Sequence, residues 1–145
     1  MGYWSSIVGY NAGTTCNACG TGFYFKPGVL TGTSINDCIP CENGKYQSQS
    51  GKTLCLECAP GTHSELITKS TKCDGCVVGR FQDQSGQSDC KGCTKGQYIN
   101  VTGAVTCKDC LPGTIGNADG QLACKNCLQG AFRDGASESL TLCGK

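Results

Sequence analysis

Apolar residues in this chain follow neither the three-and-four spacing of an amphipathic helix nor the long alternation of an extended strand. They recur instead at one place in a short unit. Its clearest copy is 93–110, CTKGQYINVTGAVTCKDC, with Gly96 three places after the first cysteine and Tyr98 five after it. The same unit starts at Cys19, Cys41, Cys58, Cys76, Cys93, Cys110 and Cys127. Position +3 is Gly22, Gly44, Gly61, Gly79, Gly96, Gly113 and Gly130. Position +5 is Tyr24, Tyr46, His63, Phe81, Tyr98, Ile115 and Phe132, aromatic in five of the seven copies. A polar stretch follows, usually with glycine four places before the closing cysteine, which suits the positive φ of a short hairpin loop. The pattern predicts pairs of short strands, such as 45–48 with 52–55 around Gly51. Strands at 80–83, 97–100 and 114–117 are expected to turn back in the same way at Gly86, Gly103 and Gly120.

The first cysteines of the CxxC pairs stand at 16, 38, 55, 73, 90, 107 and 124, and Cys143 begins an eighth. Four of the seven steps are identical: Cys38 to Cys55, Cys73 to Cys90, Cys90 to Cys107 and Cys107 to Cys124. A fixed period of this kind marks a repeat array. The expected domain organisation is therefore residues 1–15 as the end of a preceding repeat or an N-terminal tail, and 16–145 as tandem cysteine-rich repeats. Gly2 and Trp4 fall at the +3 and +5 places of a unit whose cysteine would precede Met1. The chain stops at Cys143-Gly144-Lys145, one position short of another CxxC. Both ends are thus expected to cut an array in mid-repeat.

Composition changes the picture in one respect. Leu, Ile, Val and Phe number 25 of 145 residues, too few for a conventional core in a chain this long. Fifteen cysteines and a net charge of only +1 point to a cross-linked scaffold rather than a disordered tail. Each unit is too small to fold alone, so disulfides and stacking on neighbours must supply the stability. The expected fold is small, disulfide-rich, all-β or irregular: an elongated tandem array of ~17-residue single-disulfide hairpin repeats in which each unit touches only its neighbours. That many disulfides persist in an oxidising place, which implies an extracellular or cell-surface location. The first fifteen residues lack the basic and apolar regions of a secretory signal, and no 18-residue apolar run forms a membrane span in this segment.

Two pairing schemes fit the cysteines. In one, each unit closes on itself: Cys19–Cys38, Cys41–Cys55, Cys58–Cys73, Cys76–Cys90, Cys93–Cys107, Cys110–Cys124 and Cys127–Cys143, leaving Cys16 unpaired or bonded externally. In the other, neighbouring pairs cross, as Cys16–Cys38 with Cys19–Cys41, and Cys127 is left over. The first places every hairpin turn inside a closed loop and is preferred, but spacing alone does not decide connectivity.

The pattern C-x-x-G-x-[YF], usually closed by a cysteine at the spacing of Cys93 to Cys107 or Cys58 to Cys73, resembles the single-disulfide submodule of tumour necrosis factor receptor cysteine-rich domains. Its tandem form, CxxC-x-x-G-x-Y…G-x-x-x-C, is more similar to ephrin-receptor-like cysteine-rich repeats and covers Cys16 to Cys143. This resemblance implies the self-closing bonds, with Tyr24, Tyr46, Phe81, Tyr98 and Phe132 packed on adjacent disulfides. His63 and Ile115 depart from the aromatic position, and the Cys19 unit departs in length. The resemblance implies an extracellular module and leaves its ligand unspecified.

Zinc is the remote alternative, since two CxxC pairs supply four thiolates. Seven pairs leave one over, however, and the uniform glycine and near-uniform aromatic positions give no reason for the pairs to alternate. No metal and no other cofactor is expected. Redox catalysis by CxxC needs a βαβ context that is not visible, and no CxxC is followed by the histidine of a c-type haem site. His63, the only histidine, occupies a packing position, and no hydrolytic triad or calcium loop is evident. An enzyme is not expected. Two arginines, Arg80 and Arg133, and a net charge of +1 argue against nucleic acid.

Asn100-Val101-Thr102 is an N-glycosylation sequon on a hairpin, which makes Asn100 a candidate for an N-linked glycan. Six of the ten aromatics (Tyr3, Trp4, Tyr10, Phe23, Tyr24 and Phe25) cluster at the start of the chain, beside an irregular loop at 26–36. Trp4, Tyr10, Phe23 and Phe25 are accordingly candidates for contact with a protein partner, whether a second copy or a ligand. The favoured function is structural, a segment of a secreted or cell-surface rod, stalk or filament. The alternative is a receptor-ectodomain fragment that binds a protein ligand through its N-terminal units.

Overall fold

The computed structural model describes residues 18–25, 38–65 and 69–127. Among these there is no helix, and the strands form two-stranded antiparallel pairs. In chain order, β1 (Phe23–Phe25) pairs with β2 (Cys38–Pro40), β3 (Lys45–Tyr46) with β4 (Leu56–Glu57), and β5 (Thr62–His63) with β6 (Asp74–Gly75). The series continues with β7 (Arg80–Phe81) on β8 (Lys91–Gly92), β9 (Gln97–Tyr98) on β10 (Lys108–Asp109), and β11 (Thr114–Ile115) on β12 (Lys125–Asn126).

The first strand of each pair begins where the sequence places it, and the second does not. In the Cys41 unit the returning strand was expected at 52–55, but β3 pairs with Leu56 and Glu57, between the two cysteines of the next CxxC. The register is Lys45 opposite Glu57 and Tyr46 opposite Leu56. The displacement has a backbone cause. Residues between the strands use their N–H and C=O groups to bond the neighbouring unit, so they are not free to form a ladder within their own.

Each unit from Cys19 to Cys110 opens with a tight turn. Lys45 N–H donates to Glu42 C=O at 3.1 Å, and Thr62 N–H donates to Ala59 C=O at 3.0 Å. The third turn residue is the +3 glycine, whose φ is 73° at Gly44 and 82° at Gly61. That value belongs to a type II turn, where glycine avoids the Cβ penalty and proline suits the preceding position. Pro60 and Pro112 stand at that preceding position. The Thr62 hydroxyl also donates to Ala59 C=O at 2.7 Å, and Thr114 repeats this with Leu111.

Neighbouring units stack through a recurring set of four backbone bonds. At the junction of the Cys76 and Cys93 units, Gly79 N–H donates to Ile99 C=O, and Cys93 N–H returns to Gly79 C=O. Gly103 N–H donates to Cys76 C=O, and Gln82 N–H to Ala104 C=O. All four bonds, shifted by whole units, recur between the Cys19 and Cys41, Cys58 and Cys76, and Cys93 and Cys110 units. Backbone groups that a small isolated unit would leave unpaired are thereby satisfied by its neighbour, as burial requires.

Contacts also reach the second neighbour, which corrects the expectation that each unit touches only the next. A Cβ on Gly61 would run into the Gly103 carbonyl, one on Gly79 into Gly120, one on Gly44 into Gly86, and one on Gly22 into Lys69. Each pair joins the opening turn of one unit to the loop turn two units on. The hydrogen that replaces a side chain at Gly61 therefore points at a backbone oxygen, the arrangement of a weak Cα–H···O contact.

Little of the interior is hydrocarbon. Cys58, Cys76 and Cys93 are fully buried, and Ile99 and Ala104 form one small apolar cluster with Cys93, against which Phe81 and Cys107 pack. Phe81 thus lies against the next unit's apolar cluster, where it bridges to Ala104. Tyr24, Tyr46, His63, Tyr98 and Ile115 are half-buried. Gln47, Ser64 and Gln82 are buried polar residues at position +6. Gln82 Nε2 donates to Asp89 C=O at 2.7 Å, while its Oε1 accepts from Gln84 N–H at 3.1 Å. Gln47 makes the same two bonds with Leu54 and Gln49, so one side chain braces the whole loop from within.

Candidate interaction surface

All thirteen cysteines among the described residues are disulfide-bonded. Six bonds are described in full: Cys19–Cys38, Cys41–Cys55, Cys58–Cys73, Cys76–Cys90, Cys93–Cys107 and Cys110–Cys124. Each closes one unit on itself, with Cα atoms 5.5 Å apart in the first and 5.8 Å in the second. Cys127 is bonded too, while Cys16 and Cys143 lie outside the described residues. These cysteines present no thiolates to a metal, which removes the support for four-thiolate zinc sites in this part of the chain.

The strand pairs, loops and disulfides leave distinct surfaces. Loop residues 48–50, 83–85, 100–102 and 117–119 face solvent. Leu54 and Leu56 are exposed and border a groove of about 320 Å³ with Gln47, Gln49, Lys52 and Thr53. Val77, Val101, Val105 and Leu111 are exposed elsewhere. Charges pair in place: Lys91 with Asp83 at 2.6 Å, Lys72 with Asp74 at 3.0 Å and Arg80 with Asp89 at 3.2 Å. The hydrogen bond from Lys91, helped by a backbone N–H, holds the Asp83 carboxyl below its ordinary pKa. With opposite charges interleaved, these residues create no single-sign field of the kind that steers a polyanion.

His63, Glu65 and Asp89 bring ligand atoms within 4.8 Å of one another. Asp89 is already engaged, since its Oδ1 accepts from Cys90 N–H at 2.7 Å and from Arg80 at 3.2 Å. His63 Nδ1 lies 3.3 Å from the Ser88 carbonyl, which orients the ring along the junction with the next unit. An Arg guanidinium on one of three ligands opposes a cation there, and the trio is accounted for as part of the junction's polar surface.

The sequence-derived contact candidates divide. Trp4, Tyr10 and the loop at 26–36 lie outside the described residues. Phe23 and Phe25 are half-buried in β1, where Phe23 faces Pro40 and Phe25 faces Cys38. The Lys69 ammonium sits 5.3 Å from the Phe23 ring centroid, a cation–π distance. Phe25 N–H donates to Lys52 C=O at 2.9 Å. Both phenylalanines therefore have roles inside the array. Asn100 is exposed. Sequence reasoning did not single out the side chains at position +6. Their signal was the shared run of Tyr46-Gln47-Ser48-Gln49-Ser50-Gly51 and Phe81-Gln82-Asp83-Gln84-Ser85-Gly86.

Comparison with known proteins bears on this geometry. The family described as tyrosine-protein kinase ephrin type A/B receptor-like matches three times, over residues 28–71, 65–105 and 96–143. The chain belongs to this family. The three matches to ephrin-receptor-like repeats together span the stacked units from residue 28 to residue 143. A mouse relative, "Signal peptide, CUB and EGF-like domain-containing protein 3", is 34% identical over 64 residues. That alignment covers 41% of this chain and 6% of the relative. The chain is an extracellular-type, disulfide-rich repeat module, and among the described residues no helix is long and apolar enough to cross a membrane.

Proposed function

We propose that this module is a structural spacer, a segment of a secreted or cell-surface rod, stalk or filament whose partner is protein, through self-association. The observation that carries this reading is the recurrence of the same four backbone bonds at four junctions among the described residues. A stack of that kind extends by translation of one contact rather than by building a unique concave site. The second-neighbour glycine contacts add resistance to bending, because displacing one unit disturbs two junctions. No catalytic role is assigned. The units at Cys19 to Cys127 are the repeating elements of the spacer.

The test is sedimentation of the oxidised chain over a range of concentrations, paired with a version shortened by the Cys93 and Cys110 units. A spacer that assembles through repeated surfaces gains mass with concentration, and does so less steeply when shortened. A chain that stays monomeric and binds a protein ligand lost on Phe23→Ala and Phe25→Ala would support the receptor-ectodomain reading instead. A non-reducing peptide map should show seven bonds, including Cys127–Cys143, with Cys16 outside them. Fifteen free thiols with bound metal would overturn the extracellular reading altogether.

A further inference from the structure

We propose that Asn100 carries an N-linked oligosaccharide and that the fold reserves the 100–102 loop for it. The proposal rests on the extracellular reading, since only a chain entering the secretory lumen meets the transferase. Asn100-Val101-Thr102 is the one Asn-x-Ser/Thr sequence in the chain, and its place in the fold gives it meaning beyond the motif.

The residues on either side of the loop are anchored. Ile99 is 3% exposed; its N–H donates to Gln121 C=O, and its C=O accepts from Gly79 N–H. Ala104 is buried in the same apolar cluster, and its C=O accepts from Gln82 N–H. Between them Asn100, Val101, Thr102 and Gly103 are all exposed. Residues 100–102 thus project between fixed points, and a bulky group on the exposed Asn100 side chain extends into solvent.

Comparison with equivalent loops sharpens this. At the +7 place of the Cys76 unit, Asp83 is held by Lys91 at 2.6 Å. In the Cys110 unit, Asn117 Oδ1 accepts from Gln121 Nε2 at 3.0 Å. Among the described residues the Asn100 and Thr102 side chains have no such partner. The internal brace is also missing here, because position +6 is Ile99 rather than the glutamine of the Cys41 and Cys76 units. Exposed Val101 and Val105 flank the site, 51% and 49% accessible, and offer apolar surface that the first sugars can cover.

In the transfer, the Asn100 amide nitrogen bonds the anomeric carbon of an oligosaccharide carried on a lipid diphosphate. The carbon–oxygen bond to the diphosphate breaks, the lipid diphosphate leaves with that electron pair, and one amide proton passes to base. No oxidation or reduction is involved.

The experiment is secretion of the full chain from a eukaryotic host, with intact mass measured before and after peptide N-glycosidase, alongside a thiol count. The expected result is a heterogeneous excess mass that the glycosidase removes, leaving aspartate at position 100 in the 96–108 tryptic peptide. Asn100→Gln and Thr102→Ala should lose the excess, and Thr102→Ser should keep it. A bare polypeptide mass with all disulfides formed overturns the glycan and leaves the spacer reading standing. A bare mass with free thiols overturns both. Excess mass that survives Asn100→Gln also overturns the assignment.

Discussion

Alanine at Gly61 tests the second-neighbour contact most directly. Gly61 has a φ of 82°, and its absent side chain would point into the Gly103 carbonyl. The left-handed backbone alone costs a non-glycine residue about 1–2 kcal/mol. Relieving the collision requires the turn or the facing loop to move, which strains two bonds. These run from Gly61 N–H to Gln82 C=O at 2.7 Å and from Cys76 N–H to Gly61 C=O at 2.9 Å. With each net backbone bond worth about 1 kcal/mol, the combined loss is about 3–4 kcal/mol. Gly103→Ala shares the backbone term, with a φ of 69°, but its Cβ would lie 3.9 Å from the nearest atom, the Gly61 carbonyl oxygen. It should cost about 1–2 kcal/mol. Gly92→Ala meets nothing within 4 Å and should stay within about 0.5 kcal/mol of the parent. The assay is native-state hydrogen exchange on the disulfide-intact chain, because a stapled array can open junction by junction without unfolding globally. Protection at the Gly61 and Cys76 amides should fall roughly several hundredfold in Gly61→Ala and about tenfold in Gly103→Ala. Equal losses in the two variants would refute the second-neighbour contact and leave only the turn's need for glycine.

Two further predictions concern the loop of the Cys76 unit. Gln82→Ala leaves Asp89 C=O and Gln84 N–H without their side-chain partner, and should destabilise by about 1–3 kcal/mol, read as a lower denaturant midpoint with the disulfides intact; no change would show that water replaces the brace. For Asp83, the bond from Lys91 lowers the folded-state pKa, so its contribution is fully present above the ordinary carboxylate value and is lost as pH falls through the lowered one. Side-chain NMR titration should show the Asp83 midpoint moving up in Lys91→Met, and an unmoved midpoint would mean that the pair does not persist in solution.

The parts of this fold legible in the sequence are those imposed by covalent and local backbone geometry. The +3 glycines could be read because one residue type tolerates the turn, and the cysteines because they recur at nearly constant spacing. Strand partners were misplaced because Tyr46 pairs with Leu56 rather than with the run before Cys55, and only the demands of the neighbouring unit's backbone explain why. Second-neighbour contact was illegible for a related reason: nothing local to Gly44 indicates that Gly86 will stand against it. The buried glutamines fell between these cases. A polar residue beside the aromatic position reads as solvent-facing, and its burial becomes intelligible once the loop's own Asp89 carbonyl and Gln84 amide are seen to satisfy it.

That division also bears on where recognition can reside. The opening glycine of a unit serves its own turn, a backbone bond to the next unit and a contact with the one beyond. A change there is felt at more than one junction, so these positions are constrained by the stack itself and are poor places to encode a partner. The loop tips are under no such constraint. Ser48, Asp83, Asn100 and Asn117 occupy the same place in four units, yet differ in charge and in what they bond. Chemical individuality along the array is therefore concentrated on outward residues that the stack does not use. A partner or modification that distinguishes one unit from another must read those tips.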